Sequence, residues 1–67
     1  MIGRAGLVRH PLEPIGTVAI DGELWRARRS SVDEEQPPAR AGDPVIVEDI
    51  QGLMLTVRRA ETWEVEP

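Results

Sequence analysis

The chain has 67 residues, with eight arginines, no lysine, no cysteine and twelve acidic residues, and its formal net charge is −4. This length allows one domain with a modest core, the lack of cysteine excludes disulfides and thiolate metal sites, and the acidic balance disfavours a nucleic-acid-binding surface. No apolar run reaches the roughly 20 residues of a membrane-spanning helix, whereas six glycines, six prolines and an apolar spacing of two indicate an all-β domain of short strands.

The N-terminal segment predicts a short strand followed by a proline-rich loop. Residues 1–9 mix glycine with small and branched apolar residues, which is typical of a strand that bends or crosses another backbone. In the loop, Pro11 and Pro14 remove backbone donors and favour extended backbone. Leu12 lies between the two prolines, and we expect its side chain to enter the core.

The next two strands are predicted to form a β-hairpin. Asp21-Gly22 stands between two runs of alternating residues, over 15–20 and 23–30. This dipeptide in this position is typical of a type I′ turn.

The strand over residues 23–30 has one apolar and one basic face. Trp25 and Ala27 share a face because side chains alternate along a strand, and we expect them to point inward. Arg26 and Arg28 share the opposite face and are expected to point outward.

A second hairpin is predicted over residues 45–57, the most apolar block of the chain. Val45 and Val47 alternate with other residues before Gln51-Gly52. We predict that this dipeptide is the two-residue turn, because glycine adopts a positive φ without strain. After the turn, the apolar face is expected to consist of Leu53, Leu55 and Val57.

The alternation is interrupted within the fourth strand. Counting from Val45 would place Asp49 in the core, where an unpaired charge costs several kcal/mol. We therefore predict a β-bulge at Glu48-Asp49, which turns Asp49 outward and brings Ile50 inward. A bulge also bends its strand, and bent strands help a small sheet to close.

Five strands, two hairpins and a longer connection over residues 31–43 predict a small five-stranded OB-like closed β-barrel. A small open SH3-like barrel is the alternative architecture. We expect one barrel domain over residues 1–59, followed by an acidic tail over residues 60–67 that carries Trp63.

The glycine and proline framework resembles the soluble C-terminal OB-fold domain of the NfeD family. The shared pattern has a Gly-x-x-Gly start, a Leu-x-Pro-x-Gly segment, a strand that ends at Asp-Gly, a Trp-x-Ala strand, and two glycine-led apolar strands. The matching residues are Gly3, Gly6, Leu12, Pro14, Gly16, Val18, Ile20, Asp21, Gly22, Trp25, Ala27, Gly42, Val45, Val47, Ile50, Gly52, Leu55 and Val57. Two features depart from the pattern: His10 replaces a frequent threonine, and the segment over residues 31–40 is longer and richer in proline.

The resemblance implies an OB barrel that is attached, in full-length family members, to transmembrane helices. It also implies an association with stomatin-like membrane proteins and with the regulation of membrane protease activity. We therefore expect a non-catalytic, membrane-tethered soluble domain on the cytoplasmic side. Its expected partner is a stomatin-like membrane protein or its own transmembrane segment, and its oligomeric state stays open.

No set of residues predicts catalysis, a cofactor or a metal site. His10 has no second histidine or cysteine as a partner, and Ser30-Ser31 lacks both a Gly-x-Ser-x-Gly elbow and a lysine for activation. The acidic run over residues 33–35 lacks the spaced oxygen ligands and the glycine of a calcium loop. We therefore interpret it as a solvated surface loop, and we expect no cofactor and no metal.

The candidate interaction surface is basic. If the third and fifth strands present their arginines on one side, these form a basic patch for anionic lipid headgroups or an acidic partner surface. The structural alternative is that the arginines pair across strands with Glu23, Glu48 and Glu61. The predicted surface consists of Arg26, Arg28, Arg29, Arg58, Arg59 and Trp63.

The alternative function is a stand-alone OB module that binds single-stranded nucleic acid. Such modules stack bases on exposed aromatic side chains over a basic groove. This acidic chain has only Trp25 and Trp63 as aromatic residues, and Trp25 is expected in the core because it shares a face with Ala27. We therefore expect no nucleic-acid partner.

Overall fold

The computed structural model describes residues 1–30, 37 and 39–60. These residues form strands and connections without a helix, which confirms the predicted all-β class. The strands are β1 (Ala5–His10), β2 (Ile15–Ile20), β3 (Glu23–Arg29), β4 (Pro44–Gln51) and β5 (Met54–Arg59).

The five strands close into a barrel in the order β1-β2-β3-β5-β4, with β4 pairing back onto β1. All neighbours are antiparallel except β3 and β5, which run parallel. This confirms the OB-like closed barrel and not the open SH3-like alternative. Because each of these five strands has a hydrogen-bonded neighbour on both sides, none of them forms an open sheet edge.

The core lies inside the barrel and is built from the inward-facing residues of all five strands. Leu12 joins it from the loop between β1 and β2, as predicted, and its backbone N–H donates to the carbonyl of Ala39 at 3.2 Å. Trp25 and Ile50 pack against this core. Its buried members are Val8, Leu12, Val18, Ile20, Ala27, Ala39, Val45, Val47, Leu55 and Val57.

The β2–β3 hairpin has the predicted turn. Asp21 has a φ of 51° and Gly22 a φ of 83°. Two consecutive positive φ values are the defining feature of a type I′ turn, whose twist matches the flanking strands. The prediction is confirmed.

The predicted turn of the β4–β5 hairpin is wrong by one residue. Gln51 pairs with Met54, so the two-residue loop is Gly52-Leu53. Gly52 has a φ of 60° at the first loop position, where a type II′ turn requires glycine. As a consequence, Leu53 is 82% exposed at the tip and does not share the buried face of Leu55.

The predicted bulge in β4 is confirmed. Val47 pairs with Val57 and Asp49 with Thr56, so Glu48 has no residue opposite it. Asp49 is exposed and its carboxylate accepts the backbone N–H of Ile50 at 2.9 Å. A second irregularity, between Val8 and His10 in β1, was not predicted.

Candidate functional site

The arginines of the predicted basic surface do not all face the same way, because side chains alternate along each strand. β3 and β5 are parallel neighbours, in which Arg26 lies across from Met54 and Arg29 across from Val57, so Arg58 and Arg59 lie beyond the end of the paired part of β3. Trp25 and Ala27 point inward, and the same alternation places Arg29 on the inward register, at the end of the barrel. Arg59 follows the inward-facing Val57 in the same way.

The remaining arginines lie on the outside of the barrel. We call the outward-facing side chains of β2, β3 and β5 the outer wall. It consists of Ile15, Thr17, Ala19, Leu24, Arg26, Arg28, Met54, Thr56 and Arg58.

Arg59 supports the end of the barrel. Its side-chain Nη2 donates to the carbonyl of Pro37, in the connection between β3 and β4. Its own carbonyl accepts Nη1 of Arg58 at 3.0 Å. Arg29, which lies across from Val57 at the end of β3, is also half-buried. These contacts hold Arg59 between two segments of this chain.

Arg58 forms one of the ion pairs that the sequence offers as a structural alternative. Its Nε lies 3.4 Å from Oε2 of Glu48, with 28% and 35% of the two side chains exposed. Outside the outer wall, Arg4 also pairs with a carboxylate, that of Asp21. Both pairs lie within this chain.

Arg26 differs because the register gives it no acidic neighbour. Thr17 lies across from it on β2 and Met54 across from it on β5. Arg26 is exposed and forms no ion pair within the described part of the chain.

Arg28 has the same kind of surroundings. Its cross-strand neighbours are Ile15 on β2 and Thr56 on β5. It is exposed, and residues 1–30, 37 and 39–60 include no carboxylate paired with it. Two further acidic residues were predicted as partners. Glu23 alternates with the outward-facing residues of β3 and is in the same set as Trp25 and Ala27, and Glu61 lies outside the described residues.

Exposed apolar side chains lie next to Arg26 at one end of the barrel. Leu24 is 59% exposed and lines a surface groove together with Glu23, Trp25, Arg26 and Leu53. Across the strands, Leu24 faces Ala19. Leu24 was not among the residues predicted for this surface, although it directly precedes Trp25 and faces outward with Arg26 on β3.

A second groove lies toward the opposite end of the barrel. It is lined by Pro14, Ile15, Arg28 and Arg29. Ile15 is partly exposed and pairs directly with Arg28. Each of the two outward arginines of β3 therefore adjoins a groove that also contains an exposed aliphatic side chain.

Of the remaining candidates, the structure describes His10 and Ser30. His10 is exposed, and its Nδ1 lies 2.6 Å from Oγ1 of Thr17. Ser30 is 5% exposed at the end of β3. Ser31, the acidic run over residues 33–35 and Trp63 lie outside the described residues.

The described residues contain neither a metal-binding group of side chains nor a membrane-spanning helix. These residues hold no group of three or more histidine, cysteine or acidic side chains arranged to bind a metal ion. Within the same ranges, no helix has the length and apolar character needed to cross a bilayer.

The family model of the NfeD-like C-terminal, partner-binding domain matches residues 1–59. The chain is also similar to the C-terminal domain of stomatin operon partner protein 1510-C from Pyrococcus horikoshii. The identity is 37% and the TM-score 0.82, over 92% of this chain and 91% of that one.

A second similar structure is the soluble domain of a membrane protein implicated in regulation of membrane protease activity, from Corynebacterium glutamicum. Its identity to this chain is 31% and its TM-score 0.73, over 88% of this chain and 92% of that one. No curated protein matches the sequence. Because the family model covers most of the chain and both structures share its barrel, the chain belongs to the NfeD family as an NfeD-like C-terminal, partner-binding domain.

Proposed function

We propose that this domain is the non-catalytic, partner-binding part of a membrane-tethered protein, and that its partner is a stomatin-like membrane protein. The family description supports partner binding. The Pyrococcus relative, a stomatin operon partner protein, supports a stomatin-related partner. The Corynebacterium relative, the soluble domain of a membrane protein, supports both the membrane tether and a part in regulating membrane protease activity.

The observation that carries the proposal is the pair of exposed arginines on β3. Arg26 and Arg28 have only threonine, methionine and isoleucine across from them. A surface cation without an internal partner can be neutralised by an acidic group of another molecule, which favours the correct partner and speeds its association. Within the predicted surface, we assign binding first to these two arginines.

The closed barrel supports recognition through side chains. A partner strand can add to a sheet only where the sheet has an open edge, and all five strands are already paired on both sides. Binding on the outer wall therefore depends on guanidinium and aliphatic groups. Arg29, Arg58, Arg59 and Trp63 remain part of the proposed surface, and of these Trp63 lies outside the described residues.

The absence of enzymatic activity is part of the proposal. General acid–base catalysis needs a titratable group that is held near a second reactive group. His10 has a threonine hydroxyl as its hydrogen-bond partner, and Ser30 is buried at a strand end. We also propose the cytoplasmic side of the membrane, because a chain without cysteine suits a reducing compartment.

The test is complex formation between the full-length protein and a stomatin-like protein of the same organism, both purified in detergent. We expect binding by the wild type and a loss of about tenfold in affinity for the Arg26→Glu/Arg28→Glu double variant. Arg9→Glu/Arg40→Glu is the charge-matched control, because both arginines are exposed and neither belongs to the outer wall. If the wild type does not bind the stomatin-like protein, the proposed partner is wrong.

A further inference from the structure

We infer that the outer wall binds an extended, acidic segment of a partner polypeptide, in which two carboxylates are flanked by apolar side chains. This inference rests on the proposed function and specifies the chemistry of the partner. Its basis is the order of the outward side chains of β3, Leu24, Arg26 and Arg28, together with the exposed Ile15 of β2 directly beside Arg28.

The first step is the spacing of the two charges. Arg26 and Arg28 are two residues apart on one strand, so their side chains leave the same face roughly 7 Å apart. Carboxylates at alternate positions of an extended segment have the same spacing. Each guanidinium can hold one carboxylate through two parallel N–H···O bonds.

The second step is the local sign of the charge. The chain as a whole is acidic, with a net charge of −4, so long-range attraction alone would favour a basic ligand. None of the cross-strand neighbours of Arg26 and Arg28 is acidic, and the charged side chains of the outer wall are arginines. Glu23 lines the groove beside Arg26, but it belongs to the other set of alternating residues on β3. An acidic segment on the outer wall relieves the repulsion between the two arginines, whereas a basic segment increases it.

The third step is the apolar border. Leu24 and Leu53 lie with Arg26 around one groove, and Ile15 lies with Arg28 around the other. All three aliphatic side chains are exposed. A segment that places apolar residues just outside its two carboxylates removes these side chains from water while the charges pair between them.

The experiment uses the whole 67-residue chain, labelled with ¹⁵N, and three synthetic peptides. The first is Leu-Ser-Glu-Ser-Glu-Ser-Leu, and the other two carry Gln or Lys in place of both glutamates. We expect the glutamate peptide to shift amide signals of the outer wall and to bind at least about tenfold more tightly than the glutamine peptide. The lysine peptide is expected to leave these signals unchanged.

Charge reversal provides the matched control. In Arg26→Glu/Arg28→Glu the preference is expected to invert, so that the lysine peptide binds and the glutamate peptide does not. Arg9→Glu/Arg40→Glu makes the same charge change at two exposed positions that do not belong to the outer wall, and it is expected to keep the wild-type preference. A wild-type preference for the lysine peptide, no shift from the glutamate peptide, or shifts away from the outer wall would each overturn the inference.

Two other occupants are outcomes of the same test. In the first, vesicles of phosphatidylglycerol in phosphatidylcholine bind the wild type but not the double variant, and the glutamate peptide does not bind. This result would show that the outer wall binds a lipid surface and not a polypeptide. In the second, the wild type sediments as a dimer and the double variant as a monomer. This result would show that the outer wall binds a second copy of the chain. Either result overturns the inference.

The failures of the two proposals are distinguishable. If the stomatin-like protein binds and the glutamate peptide does not compete with it, the proposed function stands and the inference about the acidic segment fails. If the glutamate peptide binds the outer wall and the stomatin-like protein does not, the inference stands and the proposed partner fails.

Discussion

Nε of Arg58 lies 3.4 Å from Oε2 of Glu48, the bulge residue of β4 that has no residue opposite it. Because of the bulge, Glu48 and Asp49 are both exposed, and Glu48 is near enough to pair with β5. Arg58 therefore has a carboxylate partner within the chain, whereas Arg26 and Arg28 have none among the described residues. This difference separates an arginine that supports the fold from arginines that are open to a partner.

The first prediction compares Arg58→Gln with Arg28→Gln. Arg58→Gln removes a partly exposed ion pair and the hydrogen bond to the carbonyl of Arg59, so we expect the free energy of unfolding to fall by about 1 kcal/mol. Arg28→Gln removes no such contact and is expected to change it by less than about 0.5 kcal/mol. Urea denaturation measures both values. An equal loss in the two variants would show that the ion pair contributes nothing.

The second prediction compares two leucine truncations. Leu12 is fully buried, so Leu12→Ala is expected to lower the free energy of unfolding by about 2–5 kcal/mol through lost burial and a cavity. A domain of this length has a free energy of unfolding of only roughly 3–10 kcal/mol. We therefore expect the Leu12→Ala variant to unfold at a much lower temperature than the wild type. Leu53→Ala, at the exposed turn, is the control and is expected to change stability by less than about 0.5 kcal/mol. Circular dichroism during thermal denaturation distinguishes the two.

The third prediction concerns salt. If Arg26 and Arg28 hold carboxylates of the partner, raising the salt concentration from about 50 to 500 mM should weaken the complex, because exposed charges are then screened. The double variant with both arginines reversed should lose this dependence. Isothermal titration calorimetry at several salt concentrations measures it. Binding that strengthens with salt would indicate a mainly apolar contact through Leu24, Leu53 and Ile15.

The fourth prediction concerns nucleic acid. Trp25 is partly buried against the core and is the only aromatic residue among residues 1–30, 37 and 39–60, and the chain is acidic. The described barrel therefore lacks the several stacked aromatic side chains and the basic groove of a single-strand-binding OB module. We expect fluorescence anisotropy with a labelled oligothymidine to give no binding tighter than about 10⁻⁴ M at physiological salt. Tight, salt-dependent binding would instead support the nucleic-acid function.

Much of the fold could be predicted because its signals are local. The type I′ turn at Asp21-Gly22 and the bulge at Glu48 depend on the chemistry of adjacent residues. The inward direction of Ala27 follows from alternation along a single strand. Leu12 was predictable as a core residue because two prolines exclude its segment from a strand while its side chain is strongly apolar.

The candidate site was predictable only in part. Arginines at positions 26 and 28 could be assigned to the outside from the sequence, and the prediction of a basic surface already included them. Their lack of acidic neighbours could not be predicted, because the residues opposite them come from β2 and from the parallel strand β5. The exposure of Leu53 was missed because alternation alone could not tell a strand residue from a turn residue.

Local sequence is sufficient to specify the strands, the β2–β3 turn, the bulge and the all-β class, because side-chain alternation and turn chemistry act over a few residues. Which arginine has a partner depends instead on barrel closure and interstrand register. These two features pair Arg58 with Glu48, direct Arg59 to Pro37 and leave Arg26 beside Thr17 and Met54. Register joins residues far apart in the chain, and hydrophobic burial across the whole barrel selects it.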